Sequence, residues 1–392
     1  MRQTRLMMRL LTPLLVLLLA ACGSDDPYET RLEALEDNKD SLNIALAWPY
    51  DADMGGTKTT IRQGIELAID EVNSNGGVLG RKLKLNLYND QRDINVGLRI
   101  AQRISQEDSL FAVIGHLDSY ISMPNSMTYE HAGLIVINPG STSSALTLRG
   151  EQHLFRTLST NDEQGRQLAR YLQRTGKQRV MVYYVNNSYG LALANSFENE
   201  AVKQKITIVD RRAYDKFSRD HARTMQDWNS FHDFDSIFLA GSMPEGIEIV
   251  REIRDAGIDV DIFAGAGLDS LDFVETGSDD VAGTKVISFF HPAVDGASVQ
   301  DFVKAYRKAY GTDPVEASAA LGYDAVKLLA ESVNQAQTLE RDAVAAQIRS
   351  MTGWQGATGR YEFDENGDVV GKMLVLTQVE NGQFTNPVLI QQ

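Results

Sequence analysis

The sequence predicts an α/β protein of two lobes, each built on a parallel β-sheet with helices on both faces. Short runs of apolar, β-branched residues alternate with segments that are apolar on one helical face, a pattern typical of parallel sheets. The alternation starts at Leu42 and begins again after Phe155. The 392-residue chain also exceeds the roughly 250–300 residues at which one core usually stops growing, so we expect two lobes with a ligand crevice between them.

The first repeat of the pattern contains a helix over 61–73, with Ile61, Ile65, Ile69 and Val72 on one face. This helix stops at a glycine pair, which is typical of a left-handed helix exit. The predicted strands of this repeat are 42–48, 84–88, 111–114 and 134–138, and its other helices are 94–105 and one that follows Pro124. The second repeat gives strands at 179–185, 206–210, 236–240 and 261–265, and helices at 163–175, 191–204, 221–228 and 244–256.

The chain begins with features of bacterial export. Three arginines precede an apolar run over 10–21, which fits a secretory signal peptide over 1–21 and is shorter than the roughly 20 residues that span a bilayer. The run ends at Cys22, the only cysteine, and resembles the lipobox of bacterial lipoproteins. We expect lipidation of Cys22 and a flexible tether over 22–41 with at most one or two helical turns, anchored on the periplasmic side of the inner or the outer membrane. The alternative is an ordinary signal peptide with a chance cysteine.

The composition excludes several classes of function. The formal net charge is −15, whereas nucleic-acid binding requires a basic surface. The six histidines form no HExxH or other short metal-ligand pair, and no GxSxG, GxxxxGK[ST] or GxGxxG motif is present. We therefore expect a protein without a metal, a cofactor or a catalytic activity. We also expect it to be a monomer.

Two polar loops follow the third and fourth predicted strands. Residues 115–119 and 139–144 are rich in glycine, serine and threonine. Because both loops lie at the carboxyl ends of parallel strands, we expect their N–H groups and hydroxyls to converge on the crevice, where they would suit a carboxylate or another compact anion. Ordinary helix N-caps account equally well for the same serines and threonines.

A series of motifs resembles the leucine/isoleucine/valine-binding family of type I periplasmic solute-binding proteins. The similarity rests on residues 64–73, 76–82 and 88–91 and continues in register through Tyr189 and Gly190. It covers nearly everything from the first predicted strand to the C-terminus. The resemblance implies two Rossmann-like lobes joined by three crossover hinge strands, closure around a small solute, and delivery to an ATP-binding-cassette permease.

The resemblance also implies how the chain divides and which residues hold the ligand. Lobe 1 would comprise 42–160 and 291–372, and lobe 2 would comprise 161–290 and 373–392. In relatives that bind amino acids, the groups around the ligand carboxylate match Ser119, Gly140, Ser141 and Thr142. The aromatic ring that the opposite lobe contributes matches Tyr189.

This sequence departs from that pattern where the ligand ammonium would lie. The acid of the amino-acid-binding relatives falls at Gly267, and the nearest carboxylate is Asp269, which either replaces that acid or caps the following helix. Two aromatic positions of those relatives fall near Ser242 and Ser318. An amino acid, for example a branched-chain one, and a carboxylate or amide without an ammonium group therefore both fit the sequence.

Three further features have alternative interpretations. The family's disulfide is missing, and its two positions fall at Arg92 and Asp118, where we expect an ion pair. Trp48 follows the first strand and either lines the crevice or packs at the strand end. Residues 364–368 alternate oxygen ligands like a calcium loop, but the expected glycine and distal glutamate are absent, and the Asn-Gly pair favours a hairpin turn.

These observations predict an extracytoplasmic solute-binding lipoprotein that captures a small polar or amphiphilic solute for an ATP-binding-cassette permease. The alternative is a ligand-sensing regulatory or scaffold lipoprotein of the cell envelope, with the same fold and no transport role. The residues predicted to contact the ligand are Trp48, Ser119, Gly140, Ser141, Thr142, Tyr189, Ser242 and Asp269.

Overall fold

The computed structural model describes residues 26–50, 57–216, 218, 220–372 and 374–390. These residues form two α/β lobes, which confirms the predicted fold class. Cys22 and the predicted signal peptide lie outside the described residues. Within the described ranges, no helix combines the length and the apolar character needed to cross a membrane.

The first sheet consists of five parallel strands. They are β1 (Ser41–Ala47), β2 (Lys82–Tyr88), β3 (Leu110–Gly115), β4 (Ile135–Asn138) and β5 (Leu154–Arg156), in the spatial order β2-β1-β3-β4-β5. β1 pairs with β2 from Ser41 opposite Lys82 onward and is buried along its length except at Asn43. Because helices cover both faces of such a sheet, its inner strands are continuous apolar runs.

Helices from two separate parts of the chain cover this sheet. α2 (Thr57–Ser74) packs on α11 (Ala317–Ala336). The close approach requires glycine at position 64, because a Cβ there would lie 1.8 Å from the carbonyl oxygen of Ala319. The remaining elements of this lobe are α1 (Pro27–Asp37), α3 (Ile94–Ser105), α4 (Ser119–His131), α10 (Ala297–Tyr310), α12 (Arg341–Ser350), and the hairpin of β11 (Thr352–Gly356) and β12 (Gly359–Glu362).

The second sheet consists of seven strands, namely β6 (Arg179–Val185), β7 (Thr207–Tyr214), β8 (Ser236–Ala240), β9 (Asp261–Ala264), β10 (Lys285–Ser288), β13 (Leu374–Glu380) and β14 (Gln383–Ile390). Their order is β14-β13-β10-β9-β8-β6-β7, and the last five are parallel. β13 and β14 run antiparallel, so this sheet is mixed. The two-residue turn between them, Asn381-Gly382, has positive φ at both positions (52° and 70°), as in a type I′ hairpin.

Five helices accompany the second sheet: α5 (Asn161–Arg174), α6 (Ser188–Lys203), α7 (Ala222–Phe231), α8 (Glu245–Asp255) and α9 (Leu271–Gly277). Three segments connect the lobes, at 157–160, 289–296 and 363–372. The first and third segments touch, since the buried Lys372 ammonium donates a hydrogen bond to the carbonyl oxygen of Thr157 (2.8 Å). The three predicted crossovers are therefore present, while the predicted lobe boundaries stay predictions.

The N-terminal segment differs from the flexible tether predicted over 22–41. α1 is a three-turn helix whose N-cap, Asp26, accepts a hydrogen bond from the backbone N–H of Tyr28 (3.1 Å), with a proline at the first helical position. Arg31 on this helix is only 1% exposed. The prediction of a flexible tether is wrong for Pro27–Asp37. It was based on the high charge and the few apolar residues of this segment, and neither property reveals that Arg31 finds hydrogen-bond acceptors on the domain.

The helix around Pro124 is longer than the sequence analysis predicted. The helix predicted after Pro124 begins earlier, at Ser119, and runs through the proline, with Ile121, Ser122 and Asn125 buried on its inner face. Tertiary packing thus outweighs the backbone hydrogen bond that a proline inside a helix removes.

The hairpin turn predicted at 364–368 is confirmed. Phe363 pairs antiparallel with Val369, and Gly367 has φ of 85°. The carboxylate of Asp368 pairs with the buried guanidinium of Arg156. Within the ranges that the structure describes, no group of three His, Cys, Asp or Glu side chains is placed to hold a metal ion.

Candidate ligand-binding cleft

A cleft of about 190 Å³ lies between the lobes, at the carboxyl ends of strands from both sheets. This is the position where open α/β sheets bind their ligands. The volume is below the roughly 300–1,000 Å³ of sites for drug-sized ligands, so the cleft suits a solute of few heavy atoms. Six of the predicted residues line it: Ser119, Gly140, Thr142, Tyr189, Ser242 and Asp269.

The wall from lobe 1 presents hydroxyl groups. Ser119 is the first residue of α4, and its Oγ accepts a hydrogen bond from the N–H of Ser143 (3.3 Å), which leaves the hydroxyl proton available. Thr142 is nearly buried, and its hydroxyl makes no hydrogen bond to any residue that the structure describes. This wall can therefore donate hydrogen bonds to an anion, at the N-terminus of a helix whose dipole favours negative charge.

Ser141 supports this wall from behind and does not line the cleft. Its side chain is fully buried and bonds to the Ser122 hydroxyl, and its N–H donates to Oδ1 of Asn138 (2.6 Å). The N–H of Gly140 donates to the same oxygen (3.0 Å). The prediction that Ser141 contacts the ligand is therefore not supported by the position of its side chain, which shapes the loop instead.

Asn138 is a positioning residue that the sequence analysis missed. Its side-chain amide also donates to the carbonyl oxygen of Gly115 (2.8 Å), so one buried side chain ties together both polar loops. A buried network continues behind it, with His116 between Asp90 (2.7 Å) and the Tyr129 hydroxyl (2.9 Å). The sequence contained one signal for this role, an amide side chain at the end of an apolar strand. A buried amide must find hydrogen-bond partners.

The wall from lobe 2 is built around Tyr189. Asn187 caps α6 by accepting hydrogen bonds from the N–H groups of Tyr189 and Gly190 (3.0 Å each). The Tyr189 hydroxyl reaches across to accept a hydrogen bond from the N–H of Gly267 (2.9 Å), and burial raises the pKa of this phenol above its usual range.

The Gly241 carbonyl oxygen and the Tyr189 hydroxyl together leave no room for an acid at position 267. A Cβ at Gly267 would lie 2.9 Å from that hydroxyl and 2.3 Å from the carbonyl oxygen of Gly241. Both distances are too short for any side chain, and the second contact is with backbone, which cannot move aside cheaply. An acid at this position is therefore incompatible with the observed placement of Tyr189.

Asp269 and Asp272 both bring a carboxylate to this wall, and Asp269 is the predicted one. Its Oδ2 accepts a hydrogen bond from the Ser288 hydroxyl (2.7 Å). Burial in the narrow cleft raises the pKa of Asp269 to about 8, although the Ser288 hydrogen bond opposes this, and the nearby carboxylate of Glu316 raises it further. The N-cap of α9 is Ser270, whose Oγ accepts from the N–H of Phe273 (3.2 Å), so the interpretation of Asp269 as a helix cap is wrong.

The mouth of the cleft contains the predicted ion pair. Two guanidinium nitrogens of Arg92 donate to the two carboxylate oxygens of Asp118, both at 2.8 Å, and this partner raises the pKa of Arg92. The prediction of an ion pair at the missing disulfide is confirmed. The adjacent Tyr120 hydroxyl donates to the carbonyl oxygen of Arg92 (2.8 Å) and accepts from Lys216 of the other lobe (3.2 Å).

Trp48 does not line the cleft. It is 1% exposed and packs in the lobe 1 core with residues such as Ile44 and Ile61. The backbone continues in the direction of β1 at this point, since the backbone N–H of Trp48 donates a hydrogen bond to the Tyr88 carbonyl oxygen (3.0 Å). Packing at the strand end is the correct alternative. The sequence analysis missed the apolar part of the lining, which consists of Leu117, Met243, Pro244 and Phe289 together with Ala266.

Comparison with known proteins agrees with this architecture. Residues 41–383 match the family model described as periplasmic binding protein. This chain belongs to that family. The matched part of this periplasmic binding protein contains the first sheet, the second sheet up to the start of β14, and the whole lining of the cleft, whereas α1 precedes it.

Several individual proteins of known name or structure are similar to this chain over most of its length. The chain is 27% identical to the Leu/Ile/Val-binding protein BraC3 of Rhizobium johnstonii, over 88% of this chain and 93% of that protein, and 26% identical to the Leu/Ile/Val-binding protein of Escherichia coli K12, over 86% and 89%. Among solved structures, it is 38% identical to an ABC transporter substrate-binding protein from Desulfitobacterium hafniense in complex with Leu, with a TM-score of 0.79 and coverage of 89% and 100%. A leucine-binding protein LivK from Thermotoga maritima is 26% identical, with a TM-score of 0.81 and coverage of 89% and 99%.

Proposed function

We propose that this periplasmic binding protein captures an α-amino acid with a small apolar side chain, such as leucine, and delivers it to an ATP-binding-cassette permease. The single observation that carries the proposal is that Asp269 lines the same cleft as Ser119 and Thr142. An α-amino acid carries an ammonium and a carboxylate close together, and the walls offer hydroxyl donors from lobe 1 and the carboxylates of Asp269 and Asp272 from lobe 2, while the third lining carboxylate, Asp118, is paired with Arg92. Charge-assisted hydrogen bonds of this kind are the strong ones.

The remaining lining suits an apolar side chain. Leu117 comes from lobe 1, and Met243, Pro244 and Phe289 come from lobe 2 and its connection. Burial of a leucine-sized group against such residues contributes about 1.5–3 kcal/mol. The relative from Desulfitobacterium hafniense, whose structure holds Leu, supports the same choice of ligand.

The mechanism of capture follows from the position of the cleft between the lobes. A ligand that touches both walls stabilises the closed arrangement and shifts the population toward it. The hydrogen bond from Lys216 to Tyr120 (3.2 Å) joins the lobes at the cleft mouth, so it belongs to the closed arrangement. A permease that contacts both lobes can then distinguish the loaded protein by its shape.

We further propose that the chain acts as a monomer without catalytic activity and without a cofactor, and that residues 1–21 are a signal peptide that is removed once the sulfur of Cys22 carries lipid. The lipidated chain would sit on the periplasmic side of a bacterial membrane. Cys22→Ser should move the protein into the soluble fraction and leave ligand affinity unchanged. Persistent membrane association of this variant would contradict the lipid anchor.

The test of the ligand compares leucine with two analogues, 4-methylpentanoate, which lacks the ammonium, and 3-methylbutylamine, which lacks the carboxylate. Each is added at the same concentration, and the shift in Tm is measured. We expect leucine to stabilise the protein much more than either analogue. Equal stabilisation by leucine and 4-methylpentanoate would show that Asp269 binds no ammonium. Unchanged uptake of labelled leucine by cells that lack the protein would contradict delivery to a permease.

A further inference from the structure

α1 is attached to lobe 1 by contacts that are unusual for the start of a lipid-anchored domain. The Arg31 guanidinium donates to four backbone carbonyl oxygens, those of Ser105, Glu107, Leu110 and Ala132, at distances of 2.7–2.8 Å. The side chain is only 1% exposed. Removal of this charged donor would leave four carbonyl acceptors partly unsatisfied, which would destabilise the docked helix.

Both ends of α1 are also attached. The Tyr28 hydroxyl donates to Glu340 Oε1 (2.6 Å), and the Arg341 guanidinium lies 4.1 Å from the Tyr28 ring centroid. At the other end, Arg81 donates to the Leu35 carbonyl oxygen (2.6 Å). Position 133 must be glycine for this docking, because a Cβ there would lie 2.8 Å from the Tyr28 ring. The helix is therefore a fixed part of lobe 1, although it precedes the residues that the family model matches.

The docked helix lies at the end of lobe 1 opposite the cleft. Arg31 binds the carboxyl ends of α3 and α4 and the amino end of β3. The cleft residues follow the carboxyl end of β3, and six residues of strand separate the two ends by roughly 20 Å. Pro27 itself lies beside Gln106, Thr128 and His131 on this distal end.

The length of chain before α1 limits how far this end can lie from the anchor. Four residue steps join Cys22 to Asp26, and a fully extended chain spans at most about 3.3–3.6 Å per residue, which gives roughly 14 Å. A tether of 19 free residues would have allowed some 60 Å or more. Docking of α1 therefore shortens the usable tether nearly fivefold, from 19 residue steps to 4.

We propose that α1 is an orienting clamp, which makes the α3/α4 end of lobe 1 the surface that faces the anchoring membrane and holds the cleft away from it. The proposal rests on lipidation of Cys22, which is part of the proposed function. The membrane partner is reached through the covalent lipid, so the facing surface needs no apolar patch of its own. Lobe 2 is then the part of the molecule farthest from the anchoring bilayer.

The test uses the lipidated full-length chain on vesicles of phosphatidylcholine and phosphatidylglycerol that contain an acceptor dye on a lipid headgroup. Because Cys22 is the only cysteine and carries lipid, one added cysteine can be labelled uniquely. Gln106→Cys places the donor dye after α3 at the distal end of lobe 1, and Val202→Cys places it at the corresponding end of α6 in lobe 2, where the side chain is 73% exposed. We expect energy transfer to the membrane from Gln106→Cys to exceed that from Val202→Cys several-fold.

Arg31→Ala should abolish most of this difference by releasing α1, while Arg103→Ala, which removes an exposed arginine from the same end of the lobe, should preserve it. Leucine binding by both variants reports that the two lobes are folded. Equal transfer from the two dye positions in the chain with Arg31 intact would overturn the clamp, even if Arg31→Ala failed to fold. If the chain with Arg31 intact fails to float with the vesicles, as Cys22→Ser is expected to fail, the lipid anchor and the orientation are both overturned. If that chain floats but the two dye positions give equal energy transfer, the orientation alone is overturned.

Discussion

The two walls of the cleft differ in how they present their binding groups. The lobe 1 wall offers neutral hydroxyls on a loop that the buried Asn138 amide holds in place. The lobe 2 wall offers a carboxylate, Asp269, whose surroundings disfavour its charge. The first wall follows the pattern that the resemblance implied, whereas the second has no room for an acid at Gly267, because the Gly241 carbonyl oxygen and the Tyr189 hydroxyl occupy that space, and we propose that Asp269 takes the role of that acid. The comparison teaches that one wall keeps the expected groups through a buried amide, whereas the other can keep a carboxylate in the cleft only away from position 267.

The largest expected effect separates the two walls. Asp269→Asn should weaken leucine binding by about 2–4 kcal/mol, or roughly 30- to 1,000-fold in Kd, because it leaves the ligand ammonium without its charged partner. Binding of 4-methylpentanoate, which has no ammonium, should change little or improve. Isothermal titration calorimetry with both ligands measures the two effects.

A matched control for this substitution is Asp259→Asn, which removes a carboxylate from an exposed turn of the same lobe. It should leave both Kd values unchanged. A similar loss for leucine and 4-methylpentanoate in Asp269→Asn would mean that the site is damaged as a whole, and the assignment of the ammonium to this wall would be wrong.

The second prediction concerns the hydroxyl wall. Thr142→Val keeps the shape of the side chain and removes its hydroxyl, and a hydrogen bond to a charged group contributes about 1.5–3 kcal/mol. Leucine and 4-methylpentanoate should therefore both bind about 10- to 100-fold more weakly, by the same factor, because both carry the carboxylate. A loss confined to leucine would reverse the roles proposed for the two walls.

The third prediction uses pH. The pKa of Asp269 is raised to about 8 in the ligand-free protein, and an ammonium ligand requires the ionised form, so binding releases a proton below that pH. Leucine affinity should rise by up to about tenfold for each pH unit as pH increases toward 8. The free energy of unfolding of the ligand-free protein should change in the opposite direction, falling as pH rises between about 4 and 8, because the folded state then holds the extra proton. A Kd for leucine that stays constant between pH 6 and 8 would contradict this linkage, and Asp269→Asn should abolish it.

Much of the fold could be predicted because apolar periodicity determines which strands are buried. The strands at 179–185 and 236–240 agree with the prediction to the residue. The docking of α1 was not predicted because it depends on Arg31, whose four carbonyl acceptors come from two distant parts of the chain, 105–110 and 132. No local pattern of apolar residues indicates such a contact.

The cleft was predictable to the extent that loop positions follow strand ends. Ser119, Thr142 and Tyr189 follow three different strands and line one cavity. The sequence could not decide whether a side chain in such a loop points outward or inward, and Ser141 and Trp48 point into the protein. It also could not show which of two adjacent residues caps α9, because Asp269 and Ser270 are equally good N-cap residues.

The smallest expected effect concerns the contact that joins the walls at the cleft mouth. The Tyr120 hydroxyl donates to the Arg92 carbonyl oxygen and accepts from Lys216, and the ammonium also lies 5.3 Å from the centroid of the Tyr120 ring. Tyr120→Phe removes both hydrogen bonds, and a net loss of about 0.5–1.5 kcal/mol would speed leucine dissociation by roughly 2- to 10-fold. The association rate should change less, because a contact formed after closure acts mainly on the off-rate.

Stopped-flow measurement of leucine release in Tyr120→Phe, Lys216→Met and the double variant isolates this contact from the other interactions of each residue. If the two side chains act together across the cleft, the double variant should release leucine hardly faster than the faster single variant. Multiplication of the two single effects would show that they act independently, and the two walls would then be coupled only through the ligand that lies between them.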